Sequence, residues 1–123
     1  MKLISLDFDG TIVKHEYPEI GEALPEAFEV LKELQEATGE DGKPLYGLIL
    51  STCREDTNRR LYLTEARVFC EKHGITFRSV NCNLPEDDFR DKGGRKVYAH
   101  FYIDDRNLGG FLGWAWVRYL LLG

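Results

Sequence analysis

Strand-length apolar runs that alternate with helix-period segments predict an α/β domain: a mostly parallel sheet with helices packed on both faces. Three observations carry this prediction. Four apolar runs, at residues 2–6, 45–52, 75–80 and 97–103, each stop at a polar or acidic residue. Two of the intervals between them repeat apolar residues at helical spacing. The resulting order, strand, helix, strand, helix, strand, loop, strand, helix, alternates along the chain.

The elements follow in order. Lys2 to Leu6 reads as a short buried strand, and the stretch from Gly10 to Gly21 has no period. "LPEAFEVLKELQEATG" is an amphipathic helix with Pro25 in its first turn, Ala27, Phe28, Leu31 and Leu34 on its apolar face, and Gly39 after its end. "EDGKP" is a turn and "LYGLILST" a second buried strand. Residues 57–73 form a second helix with Leu61, Ala66, Phe69 and Cys70 facing inward and Gly74 as its stop. "ITFRSV" is a third strand, residues 81–95 a polar loop, and "VYAHFYI" a fourth strand ending at Asp104 and Asp105. One or two turns of helix close the chain, with Trp114, Trp116 and Tyr119 expected to cover the core.

With 123 residues, the chain has room for one core, so residues 1–123 are expected to form a single domain. A 43% hydrophobic and 30% charged composition is that of a globular protein rather than a disordered one. The net charge of -5 argues against generic binding to nucleic acid or anionic membranes. The apolar end "GFLGWAWVRYLLLG" is too short for a membrane span and carries Arg118. No export signal stands at the start, and Cys53, Cys70 and Cys82 are odd in number without zinc-type spacing, so a cytoplasmic protein with reduced thiols is expected. His15, His73 and His100 are scattered and have no zinc-ligand company.

The chemistry concentrates in "LDFDGT", Leu6 to Thr11. Two aspartates separated by one residue repel each other and are costly to bury without a compensating cation. If the backbone stays extended, Asp7 and Asp9 point to one side with Cα atoms roughly 6.5 to 7 Å apart, a spacing that brackets one phosphoryl group or shares one hard cation. In a parallel sheet the ligand crevice lies beyond the carboxyl ends of the strands. Asp7 and Asp9, Thr52, and Asp104 with Asp105 all follow strand ends, so residues distant in sequence are expected to meet there. Carboxylates of that number are hard oxygen ligands suited to Mg2+.

Phosphoryl transfer needs such a set. An aspartate attacking phosphorus requires a divalent cation and a fixed lysine to offset anion repulsion. Asp7 is the candidate nucleophile and Asp9 the candidate acid/base. Thr52 would donate its hydroxyl to a phosphate oxygen, aided by backbone N–H groups around Cys53 and Arg54. Gly10, Thr11, Cys53 and Arg54 are the candidate substrate-binding residues, Arg54 as a side-chain donor.

These motifs resemble those of the haloacid dehalogenase-like (HAD) hydrolases. "LDFDGTIV" is similar to the family's first motif, "LILSTCR" to its second and "YIDDRN" to its fourth, in the family's order. The resemblance implies a Rossmann-like, magnesium-dependent phosphatase in which Asp7 becomes phosphorylated and Asp9 is the acid/base. It implies magnesium held by the side chains of Asp7 and Asp105 and by the main-chain carbonyl of Asp9, with Asp104 as a supporting acid. For the third motif, a lysine, Lys96 is chosen over Lys92 because "RKVYAHFYIDDRN" resembles a small capless branch. No interval has space for a cap domain, and an open site suits a large phosphorylated substrate. Nucleic acid enters only as such a substrate, no membrane is involved, and the protein is expected to be a monomer or homodimer.

Other readings compete. "CREDTNR" sets Arg59 six residues after Cys53, as in cysteine-dependent phosphatases, but Glu55 and Asp56 would repel phosphate there. A response-regulator receiver would carry its accepting aspartate after a middle strand, where this chain has Thr52. A non-catalytic phosphate- and magnesium-binding module on the same fold is the remaining alternative, disfavoured by the presence of Asp9, which mere binding does not require.

Overall fold

A computed structural model describes residues 1–87 and 96–123. It contains strands β1 (Lys2–Leu6), β2 (Tyr46–Leu50), β3 (Ser79–Val80) and β4 (Phe101–Ile103), and helices α1 (Ala27–Glu36), α2 (Tyr62–Lys72) and α3 (Trp114–Leu122). The sheet has the order β3-β2-β1-β4 and every pairing is parallel. This is the expected α/β, Rossmann-like class.

Connection order decides which face each element covers. The steps β1–α1–β2 and β2–α2–β3 move the same way across the sheet, so right-handed crossovers put both helices on one face. The step from β3 to β4 reverses direction and therefore crosses the other face. The packing agrees. Ile4, Leu6, Leu48 and Leu50 share a core with Leu31 and Leu34 of α1, Ala66 and Cys70 of α2, and Trp114 and Val117 of α3. On the opposite face Leu3 and Ile49 meet Leu84, Val97 and Ala99, all from the β3–β4 connection. The expectation of helices on both faces is corrected accordingly: among the described residues the second layer is that connection, with a 3-10 turn at Pro85–Asp87.

Element bounds shift for identifiable reasons. α1 starts at Ala27, after Glu26 takes a left-handed φ of 64°, so Pro25 precedes the helix. α2 starts at Tyr62 rather than near residue 57, because the Thr57 hydroxyl accepts from the N–H groups of Arg59 and Arg60 and closes a separate turn. The Asp56 carboxylate then satisfies the Thr64 N–H in the first turn of α2. Leu61, expected in the core, is exposed. The third and fourth strands are shorter than their apolar runs. Residues 97–99 leave the sheet, held by the Tyr102 hydroxyl, which donates to Val97 O at 2.6 Å and accepts from Ala99 N–H. His100 Nδ1 accepts the Leu3 N–H at 2.9 Å.

α3 runs two and a half turns, longer than expected. Only Trp114 of its three large aromatic residues is buried; Trp116 and Tyr119 are exposed, against the expectation that all three cover the core. Trp114 Nε1 donates to the Thr11 carbonyl at 2.8 Å in a buried setting, which ties the C-terminal helix to the loop after β1. No helix among the described residues is long and apolar enough to cross a membrane.

Trp114→Phe keeps an aromatic ring in the core but leaves the Thr11 carbonyl without its donor. The expected result is a loss of about 1–3 kcal/mol, read from the urea unfolding midpoint. An unchanged midpoint would show that the loop does not depend on this bond.

Candidate active site

Register sets the site. Leu6 pairs with Leu50 on one side and with Ile103 on the other, so the next residues, Asp7, Ser51 and Asp104, leave the sheet at one level. The Asp7 N–H donates to Ile103 O at 3.0 Å and the Ser51 N–H to Leu6 O at 2.8 Å, which carries the parallel ladder one residue past the strands. β1 lies where the connection order reverses, the position at which open α/β sheets form their crevice. Asp7 is therefore at the switch point.

Asp7, Asp104 and Asp105 each bring a carboxylate oxygen to within 4.8 Å of the others, and all three side chains are half-buried. Thr11 organises this group. Its hydroxyl accepts from the Asp105 N–H at 3.0 Å and reaches Asp105 Oδ1 at 3.3 Å and Asp7 Oδ2 at 3.5 Å. Thr11 is fully buried, so it braces the carboxylates from below rather than meeting substrate as expected. Gly10 is constrained by the same contact. It has a φ of 85°, and a Cβ there would lie 2.3 Å from Asp105 Oδ2. It is needed for close approach of Asp105, a structural role in place of the substrate contact expected.

Asp9 points elsewhere. Both its oxygens are taken by Arg54, Nε to Oδ2 and the Nη2 amine to Oδ1, each at 2.8 Å. Arg54 was expected to be a substrate-side donor; it is 1% exposed, and its other N–H groups donate to Tyr62 O and Glu19 O. Phe8 and Tyr17 bracket the guanidinium, with ring centroids 5.2 and 5.1 Å from Cζ. The correction has a simple cause. Fork geometry matches a carboxylate, and burial leaves the cation no route to solvent or ligand.

Thr52 lies two residues past the end of β2. Its N–H donates to Asn81 Oδ1 at 2.8 Å, and its hydroxyl oxygen accepts the Arg54 N–H at 3.2 Å, leaving the hydroxyl proton for a ligand. The Arg54 N–H is thus not one of the expected phosphate donors. Cys53 is exposed at the turn. Asn81 is the residue that sequence reading missed. It has a φ of 53° after β3, and its amide also donates to Arg54 O at 3.2 Å, so it clamps the 52–54 loop from both ends. The only signal was an Asn directly past a strand, a residue type that tolerates left-handed backbone.

Lys96 lines a cavity of about 180 Å³ together with Asp7, Ser51, Asp104 and Asn107. Its ammonium lies 4.3 Å from the Tyr102 ring centroid, at the exposed edge of that cavity. The competing Lys92 lies outside the described residues. Arg59, the partner in the cysteine-phosphatase alternative, is exposed, while Asp56 is occupied in capping α2.

The charge balance tests whether this group fits magnesium. Burial pushes the Asp7 carboxyl up from its ordinary 3.8 to about 7; the Phe8 N–H opposes that shift, while a hydrogen bond to Asp105 and the charges of Asp104 and Asp105 add to it. Three carboxylate oxygens this close form a hard-ligand set of the kind that suits magnesium. The side chains of Asp7, Asp104 and Asp105 fit the group. The Asp9 carboxylate is not part of that cluster.

No family model matches the chain, and no curated protein matches it. Among solved structures, it is similar to that of a conserved protein from Bacteroides thetaiotaomicron, with 38% sequence identity and a TM-score of 0.80 over 98% of this chain and 89% of that one.

The Asp7 shift has a sign that stability measurements read. Folded Asp7 holds its proton more tightly than the unfolded chain does. Its contribution therefore favours the fold fully below 3.8 and is lost as pH rises through about 7. In the metal-free protein, Tm measured against Asp7→Asn should fall progressively over that window. Magnesium should remove most of the fall at neutral pH, by binding the ionised form. A flat difference between the two proteins would show that Asp7 is not crowded as described.

Proposed function

This chain belongs to the family of that conserved Bacteroides thetaiotaomicron protein, and we propose that it is a magnesium-dependent phosphohydrolase that cleaves phosphomonoesters through an aspartyl-phosphate at Asp7. The observation that carries the reading is the meeting of Asp7, Asp104 and Asp105 at the switch point of a parallel sheet, with Thr52 on the adjoining strand end. The HAD-like order of the motifs supports it.

In this mechanism an Asp7 oxygen attacks phosphorus in line, the bond from phosphorus to the ester oxygen breaks, and that oxygen takes a proton from Asp9. Water then attacks the phosphorus of the acyl-phosphate, gives a proton to Asp9, and releases phosphate and the Asp7 carboxylate. Thr52 donates its hydroxyl to a phosphate oxygen, and Lys96 supplies positive charge from the cavity wall. Magnesium held by Asp7, Asp104 and Asp105 would supply the charge that lets two anions approach.

Between Asp9 and Thr52 stand one flap, α1 and β2, and between Thr52 and Asp104 the described residues form α2, β3, a 3-10 turn and β4. With no cap among them, the site suits a large or protruding phosphorylated substrate, a nucleic-acid end included. The free cysteines Cys53, Cys70 and Cys82 suit a cytoplasmic setting. A second reading, a phosphate- and magnesium-binding module without turnover, is favoured by one observation: Asp9 has both oxygens engaged by Arg54.

Hydrolysis of p-nitrophenyl phosphate decides between them. The expected outcome is turnover that requires magnesium, stops with chelator, and falls by at least about 10²-fold in Asp7→Asn, as loss of a nucleophile demands. Magnesium and phosphate binding without turnover across varied phosphoesters would favour the binding module.

A further inference from the structure

Arg54 is buried more completely than either catalytic carboxylate, yet it is not a core residue in the ordinary sense. Four of its N–H groups are spent on one carboxylate near the chemistry and two carbonyls farther out: the fork to Asp9 at 2.8 Å twice, Glu19 O at 3.1 Å and Tyr62 O at 3.2 Å. An arginine so enclosed is costly to bury unless its charge is matched, and the one carboxylate it touches is Asp9.

The carbonyl of Glu19 belongs to the segment that follows the first motif. That segment leaves the site at Ile12 and returns at Leu24 by two antiparallel bonds, Lys14 N–H to Glu22 O and Leu24 N–H to Ile12 O, both 2.8 Å. Between them Tyr17 lies over the Arg54 guanidinium and packs against Tyr62, with ring centroids 5.7 Å apart. Glu19 is fastened a second time from outside, where Arg60 pairs with both Glu19 and Glu65. The segment is thus attached to α2 through Arg60, and to Asp9 through Arg54.

We infer that Arg54 is a positioning residue that holds Asp9 and the 14–22 segment as one unit, fixing the carboxylate that serves the leaving group to the flap beside the open site. The inference rests on the phosphohydrolase reading for the role of Asp9. A bidentate fork fixes both the rotamer and the plane of a carboxylate, which a single ammonium contact does not do. Each Asp9 oxygen keeps a second lone-pair direction, so the fork leaves room for a proton or a leaving oxygen on the outer side. Arg54 touches neither substrate nor the reacting atoms; it acts through Asp9.

The test compares Arg54→Lys with wild type and with Asp9→Asn, using kcat/KM for two magnesium-supported esters. p-Nitrophenyl phosphate releases a stabilised anion and needs little help from an acid, whereas a simple alkyl phosphate needs full protonation. Arg54→Lys should cost the alkyl ester about 10²-fold and the aryl ester less than about tenfold, and in an Asp9→Asn background it should cost the alkyl ester nothing further. Equal losses on both esters, or a full further loss in the Asp9→Asn background, would overturn the inference and leave Arg54 a packing residue. Hydrogen exchange at the Glu19 and Lys14 amides supplies a readout without turnover. Both Arg54→Lys and Asp9→Asn should speed it, and a Glu19 amide unmoved by Asp9→Asn would contradict the coupling. If wild type hydrolyses neither ester, the phosphohydrolase reading fails, and the exchange result alone decides whether the three parts move as one.

Discussion

Crowding of three carboxylates at the ends of two adjacent parallel strands is the constraint around which the rest of this molecule is arranged. Parallel register forces it: once Leu6 pairs with Ile103, Asp7 and Asp104 leave the sheet side by side, and Asp105 follows across the Thr11 hydroxyl. Burial is the main reason that Asp7 holds its proton more tightly than an ordinary carboxyl, and the neighbouring Asp105 and Asp104 carboxylates add to it. Thr11, Gly10 and Trp114 then read as supports. Thr11 braces two carboxylates, Gly10 lets Asp105 approach, and Trp114 fastens the Thr11 carbonyl to the C-terminal helix.

The two aspartates of the first motif are held in opposite electrostatic surroundings although one residue separates them. Asp7 faces anions; Asp9 faces a buried guanidinium. Environment rather than residue type thus distinguishes the two carboxylates. The switch between surroundings occurs within one peptide. Phe8 is buried with its ring under Arg54, so the chain turns Asp9 toward the α2 side while Asp7 stays with β4.

Much of this was legible in the sequence, for physical reasons that also explain what was not. Buried parallel strands are continuous apolar runs, so β1 and β2 stood out, and the acids and threonine that follow strand ends located the site. Lys96 lines the cavity beside Asp7. Side-chain pairing across long sequence separation left no such trace: nothing local says that Arg54 will turn inward to Asp9, 45 residues earlier, rather than outward to a ligand. The same holds for Asn81, which acts through backbone groups of the 52–54 loop, far from it in sequence. Apolar runs overstated β3 and β4, because residues such as Val97 and Ala99 bury themselves in the second layer without joining the sheet. The face occupied by each helix followed from strand order, which periodicity does not contain.

The central claim is that Asp7 carries the phosphoryl group during turnover. Quenching the protein during hydrolysis of an excess phosphoester, reducing with borohydride and digesting with trypsin yields the peptide of residues 3–14, bounded by Lys2 and Lys14. Mass spectrometry should then find homoserine at position 7, the reduction product of an aspartyl-phosphate, only when substrate and magnesium are both present. Active protein whose position 7 stays aspartate under those conditions, or whose reduction product lies at position 9, would contradict the account.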